Sequence, residues 1–294
     1  NRPVIPPVLA CGSDKERYMT QVESLQLLMV WEAYRIADGK VVIGDSEKQH
    51  FYAPSESPEL PGRLADVEDG DEDSALAFVQ RWGLLGFSEL YTSQATAQQR
   101  AKFEADYGEW GDPLDWIWAH ARNARILVKL ISLLKGGDPE PITGYLDRLM
   151  AETPPPLQGS MLTYASGTST SRAMGFGQAI DGPLQAAASI VRSIINENVA
   201  KYVYPRLVIS NKETGGMARS HTASALLPVI YTHLMEAAIG AKGYYQCAYR
   251  NCQRWWPVNH ERRGPKSQYC PPKVGGESLC SRKERYHKIG STKA

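Results

Sequence analysis

The stretch CAYRNCQRWWPVNHERRGPKSQYCPPKVGGESLCSRKERYHK, residues 247–288, holds four of the chain's five cysteines. Cys247 and Cys252 are separated by four residues, so one tight turn can present both thiolates to a single ion. Cys270 and Cys280 follow with nine residues between them, including Pro271, Pro272, Gly275 and Gly276, a wider loop than such sites usually carry. Thiols crowded in this way are the donor set of a structural metal site. Zn2+, which takes four N or S ligands in a tetrahedron, is the expected ion. His260 or His287 could replace one thiolate, because imidazole is also a good zinc donor. Four protein ligands would leave no open coordination position, so the ion is expected to support folding rather than to activate water. Disulfides are the competing account, and they belong to oxidising compartments.

Working outward, the cysteines are embedded in cations and rings. Arg250, Arg254, Arg262, Arg263, Lys266, Arg282, Lys283 and Arg285 alternate with Trp255, Trp256 and Tyr286. Cations can meet phosphates while rings stack on bases, so the mixture points to nucleic acid. The residues after Cys280 read as a helix that would hold Arg282, Lys283 and Arg285 rigidly. Trp255 and Trp256 are expected to fill the miniature core of the metal module, since so small a unit has little else to bury. The charge division agrees. Residues 241–294 carry twelve Lys or Arg against three Glu, a net +9, whereas the first 240 carry 21 basic and 29 acidic residues, a net −8. A basic tail on an acidic body suits a polyanionic partner; mutual attraction of the two parts is the plain alternative.

In these features the tail resembles the bacterial CGNR-type zinc-finger proteins, in which a helical domain, often of the ABATE type, precedes a C-terminal zinc module. The matching residues are an apolar helix at 226–241, the pair Cys247 and Cys252, Trp255 or Trp256, the basic Arg262 and Arg263, Tyr269 with Cys270, and Cys280 with Arg282. Ser281 stands where that group has Gly-Asn after its final cysteine, and the loop between the last two cysteines is longer. The resemblance implies a treble-clef-like zinc module and a DNA-binding, transcription-regulating factor.

The other 240 residues read as a mainly helical domain with a few short strands, giving a division into 1–240 and 241–294. Glu23 to Ala37 is compatible with helix or strand and precedes a β-prone run at Val41, Val42 and Ile43. The Pro-, Gly- and acid-rich 53–73 reads as a loop. Asp73 or Ser74 is expected to cap a helix that buries Ala75, Leu76, Phe78, Val79 and Trp82 and stops at Gly83. Asp112 and Pro113 are expected to open a long helix ended by Gly136 and Gly137, with Ile117, Ala121, Ala124, Leu127, Val128 and Ile131 forming one buried stripe. His120, within it, is read as a satisfied packing histidine. Further helices are expected at about 183–200 and 220–241, the latter kinked or starting at Pro228, with a β-prone 202–209 and a polar turn at 210–219 between them.

No Ser, His and Asp arrangement, nucleotide loop or paired metal ligands at helical spacing is visible, so a non-enzymatic protein is expected. The N-terminus lacks a signal layout, and no stretch approaches the ~20 apolar residues of a spanning helix. A cytoplasmic protein with no membrane partner is expected. Two functions remain open: a zinc-dependent nucleic-acid-binding factor, with DNA favoured over RNA, and an interaction subunit that docks through its zinc module in a larger defence or stress assembly. The helical domain would then supply a protein partner surface or a homo-oligomer contact.

Overall fold

The computed structural model describes residues 28–45, 48–88, 96, 98, 110–152, 163–165, 172–174, 182–211, 216–223, 225–240, 242–259, 268–271 and 278–291. From Leu28 on, the stretch left open between helix and strand forms strands: β1 (Leu28–Trp31) and β2 (Tyr34–Ala37), followed by β3 (Lys40–Ile43) and β4 (Gln49–Tyr52). The turn between β2 and β3 decides this. Asp38 and Gly39 both have positive φ, 48° and 72°, the mirror-image turn whose twist suits a two-residue hairpin. Antiparallel pairing then places Tyr34 opposite Ile43 and Ile36 opposite Val41, while β1 pairs with β4.

Residues 53–73 were expected as a loop. They contain a short 3-10 turn (Pro54–Glu56) and α1 (Leu60–Ala65), in which Leu60, Pro61, Gly62, Leu64 and Ala65 are all buried. Leu60 and Leu64 stand one helical turn apart, enough to seat so short a helix on a neighbour, whatever its average composition. Next comes α2 (Glu72–Trp82), capped by Asp71 rather than by Asp73 or Ser74. The Asp71 carboxylate accepts from the backbone N–H of Asp73 at 3.0 Å and of Ser74 at 3.2 Å. As expected, Ala75, Phe78, Val79 and Trp82 are buried; Leu76, expected with them, is half-buried against the same core, and Gly83 ends the helix at φ 87°.

β5 (Gly111–Pro113) pairs with β3 and delivers the chain into α3 (Leu114–Gly136). All six residues of the expected stripe are buried, and Gly137 closes the helix in the left-handed conformation at φ 71°. Asp112, however, does not cap α3. It is fully buried, and its carboxylate accepts the backbone N–H groups of Leu85, Gly86 (3.1 Å) and Phe87 (2.7 Å), tying the end of α2 to β5. His120 is a satisfied packing residue, with Nδ1 2.9 Å from the Tyr231 hydroxyl.

Then follow α4 (Pro139–Glu152), β6 (Thr163–Ala165), β7 (Arg172–Met174) and α5 (Gly182–Tyr202). The expected polar turn at 210–219 lies within a hairpin of β8 (Val203–Asn211) and β9 (Gly216–Ala223). α6 (Leu226–Ile239) begins two residues before Pro228, so the missing N–H falls in the first turn, where it has no helical partner to lose. Finally come β10 (Lys242–Gln246), β11 (Trp255–Asn259) and α7 (Leu279–Ser291). The described chain is thus mostly helical with short strands. α3 packs against α1, α2, α4, α5, α6 and β10, and the core around it takes in Tyr244 of β10 and Trp255 of β11. The Gly-, Ser- and Thr-rich stretch 159–177, which reads from sequence as a hydroxyl-rich loop, has β6 and β7 paired within it, and its other residues, like the fifth cysteine, Cys11, lie outside the described residues.

Asp112→Ala leaves three buried N–H groups without an acceptor and should lower stability by about 3 kcal/mol or more. The exposed Asp115→Ala should change it by less than about 0.5 kcal/mol. Urea denaturation of the two variants checks the difference.

Candidate metal centre

β10 and β11 pair antiparallel from Lys242 opposite Asn259 to Gln246 opposite Trp255. One more bond, Cys247 N–H to the Arg254 carbonyl at 2.9 Å, carries the ladder to the first cysteine. The chain then turns back on itself. Cys252 N–H donates to the Tyr249 carbonyl at 2.8 Å, and Gln253 adopts φ 48°, unusual for a residue with a side chain. That kink aims the Arg254 N–H at the Cys252 sulfur. The tip of the hairpin is therefore a knuckle that presents two thiols together.

The third and fourth thiols come from different segments. Ala248 N–H donates to the Gln268 carbonyl at 2.7 Å and the Tyr245 hydroxyl to the Tyr269 carbonyl at 2.8 Å, holding Cys270 beside the knuckle. Cys280 is the second residue of α7, whose start is pinned by Ser278: its Oγ accepts the Ser281 N–H at 3.1 Å. The four Sγ atoms all lie within 4.8 Å of one another, and Cys252 Sγ to Cys270 Sγ is 3.4 Å. None is in a disulfide. A tetrahedral ion with metal–sulfur bonds of ~2.3 Å separates its sulfurs by about 3.8 Å, so the cluster can hold one metal ion with small adjustment.

The electrostatics fit the same reading. Burial foremost, then the neighbouring thiols, pushes Cys270 well above the ordinary thiol range; burial likewise raises Cys280, to about 11. At Cys252 burial also opposes ionisation, but hydrogen bonds from the Arg254 N–H and the other three thiols outweigh it, and its value falls below the usual one. Cys252 can carry charge easily, whereas Cys270 and Cys280 resist it. A cation among them removes that conflict. Trp256 Nε1–H adds a 2.9 Å hydrogen bond to Cys270 Sγ, a partner that would orient and stabilise that ligand.

The structure places the tryptophans differently from expectation. Trp255 does not fill a core private to the module. It is buried in the core shared with the body, its N–H donating to Asp66 Oδ1 at 3.2 Å. A Cβ added at Gly62 would meet the Trp255 Cβ and carbonyl oxygen at 3.0 Å, so this close approach requires glycine on α1. Trp256 lies under the Arg63 guanidinium, 3.9 Å from the ring centre. The Tyr244 hydroxyl donates to the Pro58 carbonyl at 3.1 Å. Nothing in the sequence around 58–66 signals these contacts.

Of the expected cations, Arg250 and Arg254 are exposed on the knuckle, and Arg282, Lys283 and Arg285 are exposed on α7. Arg262, Arg263, Lys266 and His260 lie outside the described residues, as does the His287 side chain. Among the described residues, the four cysteines are the group able to hold an ion, and no helix is long and apolar enough to cross a membrane.

Native mass spectrometry should find one metal ion in the full chain and none in Cys252→Ser or Cys280→Ser. Gly62→Val removes no ligand but pushes into Trp255; it should speed metal loss to a competing chelator severalfold. A retention rate unchanged from wild type would show that body and knuckle are uncoupled. No family model, no curated protein and no solved structure matches the chain.

Proposed function

We propose that the chain is a non-catalytic, zinc-dependent nucleic-acid-binding protein of the cytoplasm, with DNA its preferred partner and transcription regulation its role. The observation that carries this reading is the start of α7. Cys280 lies in its first turn, so the ion that holds Cys280 also holds a helix from which Arg282, Lys283 and Arg285 project into solvent. Arg250 and Arg254 add exposed cations from the knuckle. An all-sulfur tetrahedron suits zinc, and four protein ligands close its coordination, so the ion shapes a binding surface instead of activating water.

We read the knuckle on a β-hairpin, followed by a helix that carries Cys280 in its first turn, as treble-clef-like. This agrees with the resemblance to CGNR-type proteins drawn from the tail. A second reading, docking onto a protein partner, has one observation in its favour: Leu279 and Tyr286 are 56% and 67% exposed and stand seven residues apart on α7.

In fluorescence anisotropy, the zinc-loaded chain should bind labelled DNA with an affinity that falls steeply with salt. Replacing Arg282, Lys283 and Arg285 together by Gln should weaken binding and flatten the salt dependence by roughly one unit of log–log slope per lost phosphate contact. Full zinc occupancy without DNA binding would favour the docking reading.

A further inference from the structure

A groove of about 1540 Å³ runs between the metal module and the helical body, larger than the ~300–1,000 Å³ of small-molecule sites. One wall comes from α1, α2, α3 and α4; the other is the knuckle, the Cys270 segment and the start of α7. Its lining is cationic although the body as a whole is acidic. Arg81 of α2 and Arg148 of α4 line it on the body side and Arg254 and Lys283 on the module side, all four exposed, and Lys129, 6.0 Å from the Trp255 ring centre, joins them. Of the three acidic residues there, Asp66 takes the Trp255 N–H and an Arg63 hydrogen bond at 3.2 Å and Asp69 is paired with Arg122, while Glu68 is exposed and is outnumbered by the cations. Like charges gathered along a concave surface repel one another in the free protein, and that repulsion is relieved when a polyanion lies among them.

We infer that this groove is the track of a single nucleic-acid strand, whose phosphates meet Arg81 and Arg148 on the body and Arg254 and Lys283 on the module. A duplex is read by an element that enters its grooves, which requires a convex surface. A channel walled on both sides by cations, with Trp256 and Tyr145 in the lining, suits one strand. The inference rests on the nucleic-acid reading and adds to it that the body supplies half of the interface. The metal then does more than present α7, because it also holds together the knuckle, the Cys270 segment and the start of α7 that make up the module wall.

The test uses the full, zinc-loaded chain and a labelled oligothymidylate titrated across salt. Arg81→Gln with Arg148→Gln should weaken binding roughly tenfold and reduce the log–log salt slope by about 1.4, at ~0.7 per phosphate contact on a single strand. Arg35→Gln with Arg192→Gln, which removes the same charge from exposed positions that do not line the groove, should leave both nearly unchanged. Circular dichroism and zinc content of each variant confirm that it is folded. If the Arg81 and Arg148 pair binds like wild type while Arg282→Gln with Arg285→Gln loses affinity, the groove inference fails and the nucleic-acid reading stands. Equal weakening by both body pairs would reduce the effect to bulk charge and also overturn the inference. If the wild-type chain binds neither this strand nor duplex DNA, both readings fall. Preference for an acidic peptide over the strand in the same groove would overturn it as well.

Discussion

Trp255 is the point at which the two parts of the chain depend on each other. Its ring enters the core around α3, its backbone N–H is taken by Asp66, and its Cβ lies against a glycine of α1 with no room to spare. Truncating a buried tryptophan costs about 3–5 kcal/mol, a large share of the stability of any domain. Because Trp255 follows Cys252 by three residues, the same hairpin that fills the core also aims two thiols. Forces on the knuckle are therefore felt at α1, and the packing of α1 sets where the knuckle stands.

The metal centre and this anchor offset each other's weaknesses. The hairpin of β10 and β11 supplies only two of the four thiols, and the other two come from separate segments. Hydrogen bonds from Ala248 and Tyr245 bring the third thiol alongside, and Ser278 starts the helix that carries the fourth. These contacts preorganise the sulfurs to within 4.8 Å, while burial first, and then the neighbouring thiols, hold back the ionisation of Cys270 and Cys280. An ion is the natural resolution, and its binding energy becomes folding energy for the segment.

Charge follows a similar logic at larger scale. Summed over 1–240 the chain is acidic, and from that sum the body looks unsuited to a polyanion. Folding sorts the charges. Arg81 and Arg148 come from two helices far apart in sequence and reach one groove, while nearby carboxylates are drawn into pairs with Arg63 and Arg122. Net charge speaks to association of the whole molecule and says little about which face performs it.

The four cysteines were legible as a group able to hold an ion because metal binding needs particular atoms at short spacings, and spacing is a property of the chain itself. The α3 stripe was legible for the same reason, since a 3.6-residue period repeated over about four turns has few other meanings. Signals that rest on one or two residues were harder. The Asp38–Gly39 turn converted a helix-compatible stretch to strands, Asp71 capped α2 in place of its neighbours, and Leu60 with Leu64 drew α1 out of a composition typical of loops. Asp112 was expected to cap α3, but its carboxylate accepts the N–H groups of 85–87 and not those of the helix it precedes. The sequence by itself determined the donor set and the main helices; only the tertiary structure decided that Trp255 belongs to the body's core and that scattered arginines meet at one groove. Those outcomes depend on contacts between residues far apart along the chain, for which one sequence carries no local signal.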